Sequence, residues 1–164
     1  MLLGLQFLSN GTYDINSEIG QYVIENNLVT YINDKPVVYF DNKYFSQIAN
    51  FDLSQYGHFE PIASTGLWTR IYERFYYDGL YHSIKGLTQI IPAGENVRTC
   101  GGLFGYVGRK GGEIRNLNMI SANIEATADA GGLVAVAGEG FSFINCNIDR
   151  NSKIYSHGYR IVDG

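Results

Sequence analysis

Gly101-Gly102-Leu103-Phe104-Gly105-Tyr106-Val107-Gly108 returns thirty positions later as Gly131-Gly132-Leu133-Val134-Ala135-Val136-Ala137-Gly138. Downstream, Ile114-Arg115-Asn116-Leu117-Asn118-Met119 returns as Phe143-Ile144-Asn145-Cys146-Asn147-Ile148, now twenty-nine positions later. A unit of this length with apolar residues at alternate positions cannot bury its own hydrophobic side. Each unit is therefore read as one coil stacked on the next. Alternation along Ile114–Ile120 is the period of a half-buried strand. In this alignment Asn116 stacks on Asn145 and Asn118 on Asn147, side-chain amides that can bond along the stacking axis. The one-residue change of period falls between the two halves of the unit. It is assigned to the Gly-rich corners Gly111-Gly112 and Gly138-Glu139-Gly140.

Outward from the repeat, the chain divides by texture. Residues 46–164 read as the winding coil, with Ala122–Ala130 expected as a loop between rungs. Residues 1–45 carry no repeat. Their strand-like runs Tyr22-Val23-Ile24, Leu28–Ile32 and Pro36–Phe40 are separated by Asn26-Asn27 and Asn33-Asp34-Lys35, so they read as a small antiparallel meander, a cap or an anchor. The expected fold is all-β: a short right-handed parallel β-helix (β-solenoid) behind this meander. From residue 59 onward, at about 30 residues per coil, only three to four coils fit. Tyr159–Gly164 looks like the start of another rung with no capping element. A bare final coil exposes strand edges, so the isolated chain is expected to self-associate or to dock on another subunit there.

Composition agrees with strands. Of 164 residues, thirteen are Tyr and nine Phe, flat side chains that suit a pleated surface. A net charge of −4 gives no electrostatic case for nucleic acid. No stretch approaches the roughly 18 apolar residues of a membrane span, so no membrane insertion is expected. Met1–Leu8 is apolar but lacks a basic start and a small-residue cleavage site. It reads as a strand, and if Met1 is the native start the chain is not exported by the usual route. Cys100 aligns with Ala130 and Cys146 with Leu117, different points of the coil, which favours two free thiols.

Several residues resemble a known family. Gly102-Leu103-Phe104-Gly105 followed by Ile114-Arg115-Asn116-Leu117 resembles the GLUG-type repeat of bacterial surface proteins, found in IgA-peptidase-like and haemagglutinin-like β-helix regions. Tyr77-Asp78-Gly79-Leu80-Tyr81-His82-Ser83-Ile84-Lys85-Gly86-Leu87 resembles the segment that opens such regions. Phe59-Glu60-Pro61-Ile62 and Asn50–Ser54 resemble the steps before it. The resemblance covers roughly residues 46–150 and implies a right-handed parallel β-helix acting as stalk or display surface. The second copy departs from the pattern, with Val134-Ala135 in place of Phe-Gly.

The sites are few. Asp78 and His82 lie four apart, but Asp-Gly is a turn and the structural reading is preferred. Glu113, Glu125, Glu139 and Asp149 lie in the coil without sharing a register position, so no carboxylate pair of the kind that cleaves polysaccharides is expected. His58, His82 and His157 fall at different phases and form no metal site. No catalytic residue and no cofactor are assigned. The binding candidates are aromatic, because exposed Tyr and Trp on a flat sheet suit sugar rings or protein partners. They are Trp68, Tyr72, Tyr76 and Tyr81, within a run that also holds Phe75 and Tyr77.

The expected function is a non-catalytic structural and attachment module. A virion component, a phage tail or capsid appendage, fits a chain without a leader and with a separate N-terminal anchor. A bacterial surface adhesin fits the family resemblance. The rival of a different class is a carbohydrate-active β-helix enzyme.

Overall fold

The computed structural model describes residue 25 and residues 29–32, 35–38, 42–62, 74–90 and 99–158. Among the described residues, every element from Val29 onward is a strand. Near the start, β1 (Val29–Ile32) pairs antiparallel with β2 (Lys35–Val38), Ile32 opposite Lys35. These two strands fall within the runs Leu28–Ile32 and Pro36–Phe40, and residues 33–34 between them lie outside the described residues. The run Tyr22–Ile24 lies outside the described residues.

From Lys43 onward the chain winds as a parallel β-solenoid of about three turns. The first coil holds β3 (Lys43–Ser46) and β4 (Phe51–Asp52). The second holds β5 (Phe75–Asp78), β6 (Ser83–Lys85), β7 (Thr88–Gln89), β8 (Cys100–Gly101) and β9 (Phe104–Val107). The third holds β10 (Gly112–Arg115), β11 (Asn118–Ile120), β12 (Asn123–Ala126), β13 (Asp129–Ala130) and β14 (Val134–Ala137). The last holds β15 (Phe141–Ile144), β16 (Asn147–Ile148) and β17 (Lys153–Ser156). Strand β3 already belongs to the stack, so the solenoid begins three residues before the boundary expected at residue 46.

Like strands stack into walls. Wall one is β3-β5-β10-β15, wall two β4-β6-β11-β16 and wall three β7-β12-β17, with the shorter pairs β8-β13 and β9-β14 closing the coil. All pairings between coils are parallel, and such crossovers are right-handed in nearly every known case.

The register matches the sequence alignment at Asn118↔Asn147 and, one residue past Arg115↔Ile144, at Asn116 over Asn145. Ala137 lies opposite Val107, thirty residues apart, whereas Phe141 lies opposite Gly112, twenty-nine apart. The residue is lost in the corner between them, as expected. Two expectations are corrected. Cys100 faces Asp129 and not Ala130, because the offset is still twenty-nine at Gly101↔Ala130 and becomes thirty only at Phe104↔Val134. Ala122–Ala130 is not a loop: β12 and β13 run through it, with Ile124 and Ala126 turned into the core. Pairing with coils on both sides overrides the helical propensity of its Ala and Glu residues. Cys100 and Cys146 are not joined in a disulfide.

Inward columns fill the core. Ile84 lies under Met119 and Tyr77 under Ile114, all fully or nearly fully buried. Phe104 packs edge-on to Phe75 and Tyr77, with ring centroids at 4.9 and 5.3 Å. Each such side chain contributes about 1.5–3 kcal/mol on burial. The glycines of the repeat permit close backbone approach: a Cβ at Gly131 would lie 2.0 Å from the Val134 carbonyl oxygen.

Two buried amides are hydrogen-bonded through both their oxygen and their nitrogen. Gln89 Nε2 donates to the Gly102 carbonyl and Gly102 N–H donates to Gln89 Oε1, both at 2.7 Å, so one side chain pairs like a strand across the core. Gln47 Oε1 accepts from the Tyr77 hydroxyl, while its Nε2 donates to the carbonyls of Ala49 and Ser83. Burial pushes the Tyr77 phenol up from its ordinary value, so it stays a donor.

Candidate functional site: the outer face of wall one

Strands of wall one alternate strictly. In β5, Phe75 and Tyr77 point into the core and Tyr76 and Asp78 point out. Outward residues therefore form two columns up the wall. One runs Tyr44, Tyr76, Glu113, Ser142 and the other Ser46, Asp78, Arg115, Ile144. Tyr44 and Tyr76 stack face to face, centroids 4.3 Å apart and planes 11° apart. Tyr76 is half-buried, and Tyr44 is 76% exposed.

Beside this pair, Arg115 Nε donates to Asp78 Oδ2 at 2.8 Å and lies 3.7 Å from Glu113 Oε1. Burial pushes the Asp78 carboxyl up. The Leu80 N–H, the Asn116 amide and Arg115 outweigh that and hold it below its ordinary value. The wall thus offers an aromatic ring beside an ionised acid–base cluster.

The corner after β5 is unusual. Coils three and four turn from wall one to wall two with two residues, Asn116-Leu117 and Asn145-Cys146, whereas coil two uses four, Gly79–His82. In that corner Leu80 and Tyr81 both take positive φ, 48° and 62°. Each such residue costs about 1–3 kcal/mol of backbone strain. Asp78 Oδ1 accepts the Leu80 N–H at 2.9 Å and the Tyr81 N–H donates to the Asn116 carbonyl at 2.9 Å, which hold the turn. Both side chains are exposed, Tyr81 by 71%. The first coil has a four-residue corner at the same place, and its Ile48 is exposed as well.

Of the aromatic candidates, Tyr76 and Tyr81 stand on this wall and its corner. Trp68 and Tyr72 lie outside the described residues. Phe75 and Tyr77 belong to the core. Tyr44 is not among the sequence candidates, although Tyr44-Phe45 and Tyr76-Tyr77 repeat an outward–inward aromatic pair thirty-two residues apart.

The other polar candidates act as clamps. The Asp78 carboxylate is taken up by Leu80, Asn116 and Arg115. Asp52 faces Lys85 across one rung at 2.9 Å and caps Ser54. Asp149 Oδ1 accepts the Ser121 N–H of the coil below at 2.8 Å. His58 meets Glu60 at 3.1 Å and His157 meets Glu125 at 3.3 Å, at separate corners. Among the described residues no three His, Cys, Asp or Glu side chains converge as a metal site would require.

Compared with known proteins, the chain matches no family model, no curated protein and no solved structure. The likeness to GLUG-type repeats therefore rests on the residues quoted above.

Proposed function

We propose that the chain is a structural and attachment module that holds a surface carbohydrate against the outer face of wall one. The observation that carries this reading is the exposed Tyr44 ring stacked on Tyr76 beside the Asp78–Arg115–Glu113 cluster. An aromatic face takes the C–H side of a sugar ring, and ionised acid and guanidinium groups take its hydroxyls. The strained, exposed Leu80-Tyr81 corner supports the same place, since strain of this kind is retained where a surface must be presented in one shape. The stacked coils supply a rigid base for it. A virion appendage or a bacterial surface protein is the setting in which such a module would work.

A glycan array probed with the labelled chain tests the reading. Binding to a defined class of glycan is expected, lost in Tyr44→Ala and in Tyr81→Ala while the far-UV spectrum stays unchanged. Binding indifferent to both substitutions would overturn it. So would turnover of a polysaccharide abolished by Asp78→Asn, which would make the chain an enzyme.

A further inference from the structure

We infer that Asp78 is the positioning residue of this site: its Oδ1 holds the Leu80-Tyr81 corner in the one shape that presents the Tyr81 ring to a glycan. This role rests on the reading of wall one as a glycan site. Leu80 and Tyr81 are both exposed, yet the backbone beneath them is bonded throughout. Every N–H from Gly79 to Ser83 has an acceptor. Gly79 donates to the Arg115 carbonyl at 2.8 Å, Tyr81 to the Asn116 carbonyl at 2.9 Å and His82 to the Gly79 carbonyl at 2.8 Å. The other two acceptors are side chains: Asp78 Oδ1 takes Leu80 at 2.9 Å, and Asn50 Oδ1 takes Ser83 at 2.8 Å. The corner also lies flat on coil three, since a Cβ at Gly79 would come 2.4 Å from the Asn116 carbonyl oxygen.

Three observations single out Asp78. It bonds the N–H of Leu80, where the corner first takes positive φ, 48°. Asp and Asn close this short ring to the N–H two residues on, and so fix a turn from within. The position of Asp78 is held by Arg115 in coil three and by Ile144 in coil four, neither of which offers an acceptor. Both of those coils turn in two residues, so among coils two to four the long corner goes with the acceptor. Lastly, Asp78 accepts from Leu80, Asn116 and Arg115, three of the roughly four lone-pair sites of a carboxylate. Little of it is left for a ligand. Sugar hydroxyls fall to Glu113 and Arg115, and Asp78 acts through Tyr81. A ring held in place beforehand need not be ordered on binding, which raises affinity.

Two variants of the full chain separate holding the corner from supplying charge. Asp78→Asn keeps an oxygen for the Leu80 N–H and loses the charge. Asp78→Glu keeps the charge, but its extra methylene takes the carboxylate out of the short ring. Heteronuclear NOEs of the backbone amides, without ligand, read order on the picosecond to nanosecond scale. Leu80 and Tyr81 are expected to be as rigid as β5 in the wild type and in Asp78→Asn, and loosened in Asp78→Glu. The glycan array, titrated with each labelled chain, should show Asp78→Glu binding about tenfold more weakly than Asp78→Asn, the cost of ordering the ring and its turn on binding. A corner already mobile in the wild type, a corner unchanged in Asp78→Glu, or Asp78→Glu binding as tightly as Asp78→Asn would each overturn the inference. If Asp78→Glu fails to fold, Asp78→Ala takes its place in both measurements. A wild-type chain that binds no glycan sinks the reading of wall one, and the amide order then decides the role of Asp78 by itself.

Discussion

Asn145 Nδ2 donates to Asn116 Oδ1 at 3.2 Å, bridging two coils across 29 residues of chain. Asn116 in turn donates to Asp78 Oδ1 at 3.0 Å, so three coils are tied by one ladder that ends on a carboxylate. Both asparagines sit at φ 52°, a left-handed conformation that Asn tolerates better than other residues with a side chain. One residue type thus turns the corner and bonds along the axis.

Asn116→Ala should therefore cost more than Asn145→Ala. The first removes two side-chain hydrogen bonds, about 0.5–1.5 kcal/mol each, and strains Ala by about 1–2 kcal/mol at positive φ. The second carries the same strain and removes one bond. Urea unfolding of both variants checks the order, and an equal or reversed cost would show that the ladder contributes little.

Two glycines of the Gly-rich corners that lead into wall one should differ sharply. Gly112 has φ 132°, and a Cβ there would lie 2.1 Å from the Phe75 carbonyl oxygen. That obstacle is backbone of the coil below and cannot swing away, so Gly112→Ala is expected to cost about 4 kcal/mol or more. Gly140 has φ 73° with nothing within 4 Å of its Cβ position. Its Ala variant should lose only the conformational term, about 1–2 kcal/mol. Thermal melts of the two variants decide.

Gln89 is fully buried, and its amide pairs with both backbone groups of Gly102. Gln89→Leu keeps the volume but leaves a buried N–H and C=O unpaired, at about 1–3 kcal/mol each. The Gly102 amide proton should lose its protection against hydrogen exchange selectively, before the strands of wall one lose theirs. Unchanged protection at Gly102 would mean that another acceptor replaces the side chain.

These positions also mark what could be read from the sequence. The Gly-Gly-Leu repeat and the Asn-x-Asn strands carry the coil, its parallel stacking and most of its register, because identical neighbours in a solenoid need identical local geometry. Aligning the glycines flush puts Cys100 one residue out, because it hides an offset that changes only between Gly101 and Phe104. The strands over Asn123–Ala130 were hidden by Ala and Glu, whose local preference yields to pairing with the coils above and below. Gln89 gave no signal, since its partner is backbone thirteen residues away across the core. At the wall, Tyr76 and Tyr81 were legible as aromatics in an alternating run. The stacking partner Tyr44 was not, because it precedes the region that resembles the repeat family.

Acid should weaken the fold through three carboxylates. Asp52 is held below its ordinary value by the Ser54 hydroxyl and N–H and by Lys85. Asp78 is lowered by Leu80, Asn116 and Arg115 against the opposing effect of burial, and Asp149 by the Ser152 hydroxyl and the Ser121 N–H. Each folded value lies below the unfolded one, about 3.9 for Asp. Their contribution is therefore complete above that pH and is lost as pH falls toward the folded values, when the unfolded chain binds protons first. The urea midpoint should be insensitive to these groups between pH 7 and 5, then drop between about pH 4 and 2. Asp78→Asn can still accept from Leu80 but cannot pair with Arg115 as an ion. It should lower the midpoint at pH 7 and flatten the acid slope. A wild-type midpoint that stays constant from pH 5 to 2 would show that these corner clamps add nothing to stability.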